Sequence, residues 1–522
     1  MIPQPPRYVL ASCTMALGGF LMGYDTGSIG AIVAMPQFEK TVGHLSPTLL
    51  GFTVSLIMLT GGIPSVFAGH LAEKFGRLRV IMAGTIFFIM GALIQGSAPS
   101  LVPFLIGRAI GGFGVGVYLS NVAVYICEIA PVRHRGVLAG SPQFMTTAGV
   151  CAGYFTCYGT IGIESSFAWR FSYIIQAVTG LFMAVRCAML PESPRWLMLH
   201  GRRTDALESL HRLNFSMAEA DMDILRPQEQ GPSLSGWQAF LLLFRRGYRS
   251  RTILALFVLG MVQLSGIDGV LYYAPTLFAQ AGLHGKTAAF LASGLSAILM
   301  LAISIPAFIF ADKWGRRTSI IAGGLTLAAC MLLIGTLYAA HAVHPHGAAR
   351  WVVIVLVFVF GITYCATWGI TGKIYASEIQ PANTRAAASC VAQGLGFFTN
   401  WLVAMITPVL LTKSAYGVYF LFGGLALGTV AVLAAYMPET RGMSLENIQD
   451  AFQRPPILNI LASHLRKITT GFGPRGQTTA ANESLELNTI LEQGPTESGS
   501  LDTGNRIART RDVSASWYSS PP

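Results

Sequence analysis

The stretch GHLAEKFGRLR, residues 69–79, separates two long apolar runs, and its pattern recurs in FADKWGRRT at residues 310–318. Both copies place an acidic residue, a lysine, an aromatic residue, a glycine and an arginine in that order. A second pair of similar stretches, YICEIAPVRHRG at 125–136 and YASEIQPANTRA at 375–386, lies two apolar runs further along in each case. We infer that the chain contains an internal duplication whose unit comprises six apolar runs.

The composition is that of an integral membrane protein. Of the 522 residues, 52% are hydrophobic and 11% are charged, a balance that no soluble domain needs for its core. A membrane-spanning helix takes about 20 residues, and we count twelve apolar runs long enough to form one. The runs lie at about 9–33, 48–70, 79–97, 101–125, 137–159, 170–190, 252–281, 288–311, 318–340, 351–376, 386–411 and 416–437. We predict an all-α integral membrane protein with twelve transmembrane helices in two six-helix halves.

The polar segments divide the chain into four parts. Residues 1–190 form the first half, 191–250 a central cytoplasmic loop with short helices, and 251–452 the second half. Residues 453–522 are rich in Ser, Thr, Gly and Pro, which predicts a disordered cytoplasmic tail. Duplicated six-helix halves are typical of transporters whose binding site lies between the halves near the middle of the membrane.

The net charge of +11 reflects membrane orientation better than nucleic-acid binding, because the basic residues concentrate in alternate connections between apolar runs. By the positive-inside rule these connections face the cytoplasm, so we expect both termini to lie there too. The plasma membrane is the expected location.

Several further motifs identify the chain, over residues 8 to about 452, as similar to the sugar porter family of the major facilitator superfamily. They are GYDTG (23–27), GRAIGGFGVG (107–116), PESPRWL (191–197), QLSGIDGVLYYAP (263–275) and PETRGMSLENI (438–448). The resemblance implies the major facilitator fold and secondary transport of a monosaccharide, a polyol or a similar solute. Fungal members commonly carry a tail like this one.

Asp25 lies within the first apolar run, where an unpaired carboxylate would cost several kcal/mol. It therefore needs a partner or a proton, or it caps or packs inside the helix bundle. In family members that are coupled to protons, an acid at this place pairs with an arginine of the fourth helix, matched here by Arg108. The resemblance thus implies proton symport, with protonation of Asp25 breaking the pair.

Gln143 and Gln263 match family amides that hydrogen bond to sugar hydroxyl groups, and Asn400 is also retained. A lone glutamine in a membrane helix can equally bridge two helices. Tyr272 and Tyr273 match the family's outer gate, although aromatic side chains in such helices more often serve packing.

The chain departs from the family pattern at several positions that line the sugar site. Asp268 replaces an asparagine, Lys373 replaces a tryptophan of the tenth helix, and Gly396-Phe397 replaces Asn-Trp in the eleventh. A hexose would lose partners of both kinds, amides that bind its hydroxyl groups and an indole that contacts its apolar face. We therefore expect a sugar acid, a quinate-like acid or another non-hexose solute rather than glucose.

Three interpretations of Lys373 remain open. Its ammonium group neutralises Asp268 in a buried ion pair, or it binds a carboxylate of the solute. Alternatively, its side chain extends to the cytoplasmic interface, since Glu378 is five residues further on. The match to the family's cavity position favours a role in the cavity.

We name the charged residues at the cytoplasmic helix ends the cytoplasmic latch. Acid–arginine pairs that close in one state and open in the other would bias the transport cycle, although topological anchoring explains the charges as well. The latch comprises Glu73, Arg77, Glu128, Arg135, Glu192, Arg195, Asp312, Arg316, Glu378, Arg385, Glu439 and Arg441.

These observations predict a proton-coupled symporter of a small polyhydroxylated solute, monomeric in the lipid bilayer. A proton-antiport exporter and a non-transporting nutrient sensor on the same fold are the alternatives. An enzyme is not expected, because no nucleophile, base and oxyanion site can be assembled from the motifs. No metal site or cofactor is predicted.

Overall fold

The computed structural model describes residues 6–215, 240–245, 248–283, 286–310, 315–344, 347–380 and 384–440. These residues confirm the predicted all-α fold, with seventeen helices numbered in chain order over the parts described. The helices of the first half and the central loop are α1 Arg7–Val33, α2 Pro36–Val42, α3 Pro47–Phe75, α4 Arg77–Ser97, α5 Leu101–Ile129, α6 Val132–Thr160, α7 Phe167–Met189, α8 Pro194–Leu199 and α9 Arg203–Arg212. Those of the second half are α10 Arg249–Leu264, α11 Ile267–Gln280, α12 Lys286–Phe310, α13 Arg316–Ala339, α14 Ala349–Ala366, α15 Trp368–Glu378, α16 Arg385–Lys413 and α17 Gly417–Tyr436.

Ten segments of the described chain are long and apolar enough to cross a membrane. Helices α1 and α6 are not among them, although they contain 27 and 29 residues and are about 40 Å long. Both carry many polar or small residues, because they pack against each other inside the bundle. Adding these two helices gives the twelve spans that hydropathy predicts.

Two of the predicted runs are divided in the structure. Run 252–281 is interrupted between α10 and α11 at Gly266, whose φ of 89° suits glycine and ends the helical hydrogen-bonding pattern. A side chain there would also meet Phe422, whose ring lies 2.5 Å from the Cβ position. Run 351–376 is interrupted at Thr367, where φ is −125° and ψ is −82°. Hydropathy cannot detect such breaks, because the residues on both sides are apolar.

The glycine-rich fourth apolar run serves helix packing, as its sequence context indicates. A Cβ at Gly116 of α5 would overlap the backbone of Gly61 in α3. Small residues therefore allow the two backbones to approach closely.

Contacts between residues of the first and second halves run along two pairs of helices, α3 with α16 and α6 with α12. The α3–α16 contact extends from Gly51 beside Met405 to Gly69 beside Cys390. Helix α1 adds a contact with α11, and α6 adds one with α15. Gln143 of α6 and Lys373 of α15 meet between these pairs.

All of these contacts lie within the compact unit of residues 1–459. Two helices of the central loop, α8 and α9, are described, whereas residues 216–239 lie outside the described residues. The predicted tail at 453–522 also lies outside them. The four-part division of the chain stays a prediction.

Candidate functional site

Asp25 and Arg108 form an ion pair in the interior of the first half. The two guanidinium nitrogens Nη1 and Nη2 each donate to a different carboxylate oxygen of Asp25 at 3.3 Å. Both residues are fully buried. A buried carboxylate would otherwise lack compensation for its lost hydration, so this paired geometry is what an ionised Asp25 requires.

Two partners of Arg108 were not found by sequence reasoning. Its guanidinium also donates to the Val54 carbonyl oxygen at 2.7 Å and to Gln95 Oε1 at 3.3 Å. These bonds keep Arg108 in place through contacts with α3 and α4 as well as with α1. Only Gln95 offered a signal, as a polar side chain within an apolar run.

Tyr272 and Tyr273 lie where α1 and α11 meet. A Cβ at Gly30 of α1 would overlap the carbonyl oxygen of Tyr272, so the two helices are in backbone contact. The Tyr273 hydroxyl donates to the Ala404 carbonyl oxygen at 2.8 Å, and the Tyr154 hydroxyl of α6 donates to the Leu271 carbonyl oxygen. The two halves are therefore closed against each other at this end of the bundle.

Lys373 contacts a residue of the opposite half. Its ammonium group donates to Oε1 of Gln143, which lies eleven residues, or about 16 Å, along α6 from Val132. This depth corresponds to the middle of the bundle, yet Lys373 is an exposed residue. The exposed part of Lys373 therefore lies in a solvent-accessible space, the cavity, between the halves, and its ammonium group bridges to Gln143 of the opposite half.

The direction of the Lys373 side chain follows from the helix break that precedes it. Trp368, the first residue of α15, is fully buried and donates its indole N–H to the Ile320 carbonyl oxygen of α13 at 2.8 Å. Gly324 lies under this ring. Helix α15 is thus anchored at its start, and Lys373 follows little more than one turn later.

Asp268 lies in the first turn of α11 and is almost fully buried, with 5% of its surface exposed. Its carboxylate accepts a hydrogen bond from Gln263 Nε2 at 2.9 Å, and Asn400 and Lys373 also interact with it. The ammonium group of Lys373 makes its direct hydrogen bond to Gln143. Asp268, Gln263, Asn400 and Lys373 are therefore brought together on one side of the cavity.

Phe397 is placed differently from the other predicted cavity residues. It is 2% exposed and packs against Gly62 of α3 in the contact between the halves. The preceding residue, Gly396, lies one helical turn from Asn400, and a Cβ there would meet no heavy atom within 4 Å. Open space therefore exists beside Gly396, where the family pattern has an amide.

Within the cytoplasmic latch, Arg77 pairs with Glu128 at 3.1 Å across α4 and α5. Glu192 accepts hydrogen bonds from the backbone N–H groups of Arg77 and Leu78, which begin α4. In the same way, Glu439 accepts from the N–H groups that begin α13 at Arg316 and Arg317. The two glutamates thus occupy equivalent places in the duplicated halves, at helix N-termini where a negative charge is stabilised.

In the described residues Glu192 satisfies the otherwise unpaired N–H groups that start α4, and its pairing with an arginine in the transport cycle stays a prediction. Burial raises the pKa of Glu192, while the N–H groups of Ser193, Leu78 and Arg77 act in the opposite direction. Glu73 interacts electrostatically with Arg77. Asp312, Arg441 and the side chains of Arg135, Glu378 and Arg385 lie outside the described residues.

Tyr364 of α14 is a further cavity residue that sequence reasoning missed. Its hydroxyl donates to Oε1 of Gln263 at 3.1 Å. It stands four residues before Trp368 in an apolar run, where an aromatic residue gives no signal of its own.

Comparisons with known proteins agree with this architecture. The model of the family described as "Sugar (and other) transporter" matches residues 11–452. The MFS-type transporter criB of Aspergillus cristatus is 32% identical over 453 residues, covering 85% of this chain and 93% of that protein. An arabinose-proton symporter of Bacillus subtilis is 28% identical over 449 residues, covering 84% of this chain and 94% of that protein.

The solved structure of the xylose transporter XylE from E. coli in a partially occluded inward open conformation has the same fold. The TM-score is 0.69 at 23% sequence identity, and the match covers 84% of this chain and 99% of that chain.

Proposed function

The chain belongs to the sugar transporter family of the major facilitator superfamily, and from this premise we propose that it is a proton-coupled symporter of a small polyhydroxylated solute. Transport proceeds by alternating access, with the solute bound between the two six-helix halves. The arabinose-proton symporter among its relatives supports coupling to protons.

The observation that carries the proposal of proton coupling is the fully buried Asp25–Arg108 pair. Removing the charge of Asp25 by protonation would leave Arg108 with only neutral partners in a low-dielectric interior. Binding of a proton to Asp25 would therefore change the free energy of this arrangement of the first half. Because α1 also contacts α11 at Gly30, a displacement of α1 would reach the closed end of the bundle.

For the solute we propose a compound that combines hydroxyl groups with a carboxylate, such as a sugar acid or a quinate-like acid. Lys373 supplies a cation in a water-accessible cavity, and it contacts Gln143 rather than extending toward the end of α15. A solute carboxylate would replace the neutral Gln143 oxygen by a charged acceptor, which forms the stronger bond. Asp268 and Asn400, on the same side of the cavity as Lys373, then remain to bind hydroxyl groups.

We place the basic connections and both termini in the cytoplasm, on the basis of the positive-inside rule. In this orientation Tyr272 and Tyr273 close the outer end of the cavity. A monomer in the plasma membrane, with the predicted division into two halves, central loop and tail, completes the proposal.

The test is uptake into proteoliposomes of glucose, sorbitol and quinate, each with and without an inward proton gradient. We expect quinate to be taken up best and to accumulate only when the gradient is present. Gradient-independent exchange, with glucose as the best substrate, would refute both the coupling and the proposed selectivity. Accumulation driven by an outward gradient would instead identify a proton-antiport exporter.

A further inference from the structure

A chain of hydrogen bonds joins three helices of the second half beside the cavity. The Tyr364 hydroxyl of α14 donates to Oε1 of Gln263 in α10 at 3.1 Å, and Gln263 Nε2 donates to Oδ2 of Asp268 in α11 at 2.9 Å. Tyr364 is 8% exposed and Asp268 is 5% exposed. Nothing in the proposed transport cycle so far requires Tyr364.

The chemistry of the three groups determines the direction of this chain. An ionised carboxylate only accepts hydrogen bonds, so Gln263 must turn its NH₂ group toward Asp268. The amide oxygen of Gln263 then faces away from Asp268 and needs a donor. Tyr364 supplies that donor, because its phenol O–H reaches the amide oxygen. The carboxylate therefore selects one of the two orientations that the amide can adopt, and the Tyr364 hydroxyl satisfies the amide oxygen in that orientation.

We propose that Tyr364 is a positioning residue that determines solute specificity by holding Gln263, and through it Asp268, in the cavity wall. This inference rests on the proposed function, since it assumes that the solute binds in this cavity. Its consequence is that Gln263 uses its amide oxygen and one N–H bond within the protein. Asp268, together with Asn400 and Lys373, remains to contact the solute.

The dependence on an ionised carboxylate makes the inference testable by a double-mutant cycle. In an Asp268→Asn variant, the side chain at 268 can donate or accept, so either orientation of the Gln263 amide is satisfied. Removing the Tyr364 hydroxyl should then matter much less. A purely structural role of Tyr364 in packing α14 would give the same effect in both backgrounds.

The experiment measures the dissociation constant of the detergent-purified full chain for glucose, sorbitol and quinate by ligand-induced tryptophan fluorescence change, and KM and Vmax by uptake. For the solute bound most tightly, we expect Tyr364→Phe to raise Kd and KM about five- to tenfold, with Vmax changed less than about twofold. In the Asp268→Asn background, the same substitution should change Kd less than about twofold. Tyr125→Phe is the matched control, because it removes a buried hydroxyl that donates to the Pro191 carbonyl oxygen at 2.7 Å, away from these residues.

An unchanged Kd in Tyr364→Phe, or an equal increase in both backgrounds, would overturn the inference. Tyr364→Phe could also lose binding because it lowers the thermal unfolding temperature. If neither a lower assay temperature nor the substitution Tyr364→Trp then restored binding, the inference would again be overturned. Failure of the unaltered protein to bind any of the three compounds would overturn the proposed function itself. Because Kd is measured without a proton gradient, failure of proton coupling alone leaves this test intact.

Discussion

Two buried carboxylates in the bundle are compensated in different ways. Asp25 has both oxygens bound to the Arg108 guanidinium, whereas Asp268 receives a hydrogen bond from the neutral amide of Gln263. Lys373, a cation that interacts with Asp268, makes its direct hydrogen bond to Gln143 instead. The first carboxylate is therefore a closed pair within one half, and the second is part of the proposed binding surface.

Asp25→Asn should abolish proton-driven accumulation. The amide cannot carry a proton in and out, so we expect the ratio of internal to external solute to fall to about one, since no differential proton binding remains to drive it. Solute exchange between equal concentrations should persist. The measurement is accumulation and counterflow in proteoliposomes under an inward proton gradient.

Two controls accompany this variant. Asp205→Asn removes an exposed carboxylate, paired with Arg202 at 2.6 Å on α9, and should leave accumulation intact. In Asp25→Asn, Arg108 stays buried without its charged partner, which costs about 3–5 kcal/mol of folding stability. The double variant Asp25→Asn with Arg108→Gln removes the unpaired charge, so it separates a loss of folding from a loss of proton coupling. Retained accumulation in Asp25→Asn would contradict the proposed proton site.

Lys373→Trp combined with Asp268→Asn should shift selectivity toward neutral sugars. The change restores the aromatic and amide partners of the family pattern and removes the cation, whose bond to a carboxylate contributes about 1.5–3 kcal/mol. We expect the ratio of kcat/KM for glucose to that for quinate to rise about tenfold or more. Lys413→Trp, at the last residue of α16, is the control for loss of a lysine. Unchanged selectivity would favour the interpretation that Lys373 serves the interface.

At the scale of single helices, glycines and helix breaks set where side chains can reach. Gly266 ends α10 and starts α11, which brings Asp268 into the first turn of a new helix. The break at Thr367 likewise starts α15, the helix that carries Lys373. Both charged cavity residues therefore follow a break in a discontinuous helix, a feature of binding sites in transporters of this kind.

Gly30→Val should open the end of the bundle that is closed here. Its Cβ would overlap the Tyr272 carbonyl oxygen, so α1 and α11 must separate. We expect an impermeant maleimide added outside to label a cysteine introduced at Gly396 roughly fivefold faster, in a background without native cysteines. The matched control is Gly159→Val, because a Cβ at Gly159 in α6 would meet nothing within 4 Å. Equal labelling rates in the two variants would show that this contact does not determine closure.

At the scale of the whole molecule, the described residues are in a state closed between α1 and α11, with Lys373 exposed to water. The long contacts of α3 with α16 and of α6 with α12 join the halves along their length. The capping of α4 by Glu192 and of α13 by Glu439 repeats in both halves. We infer that the halves move as units about the two long contacts, with the cytoplasmic latch changing its pairs.

Deletion of residues 455–522 should leave transport unchanged. The residues of the proposed site all precede this segment, so we expect KM and Vmax within about twofold of the full chain, the range of minor surface changes. The measurement is uptake in proteoliposomes, together with the growth response of expressing cells to the solute. If uptake persists while the growth response disappears, a sensor function is added. If uptake is lost although the protein folds and inserts, the tail belongs to the transport machinery.

The sequence by itself determined the class of protein, the number of membrane spans and the presence of charged residues inside them. Hydropathy and repeated motifs are local properties, and a carboxylate or an ammonium group in an apolar run is visible without coordinates. What only the tertiary structure decided is which groups these charges meet. Lys373 contacts Gln143 from 230 residues away, Arg108 donates to the Val54 carbonyl oxygen, and Glu192 caps the start of α4. The physical reason is that such contacts depend on how closely helices pack and where they break, and apolar residues on both sides of each break conceal both features from the sequence.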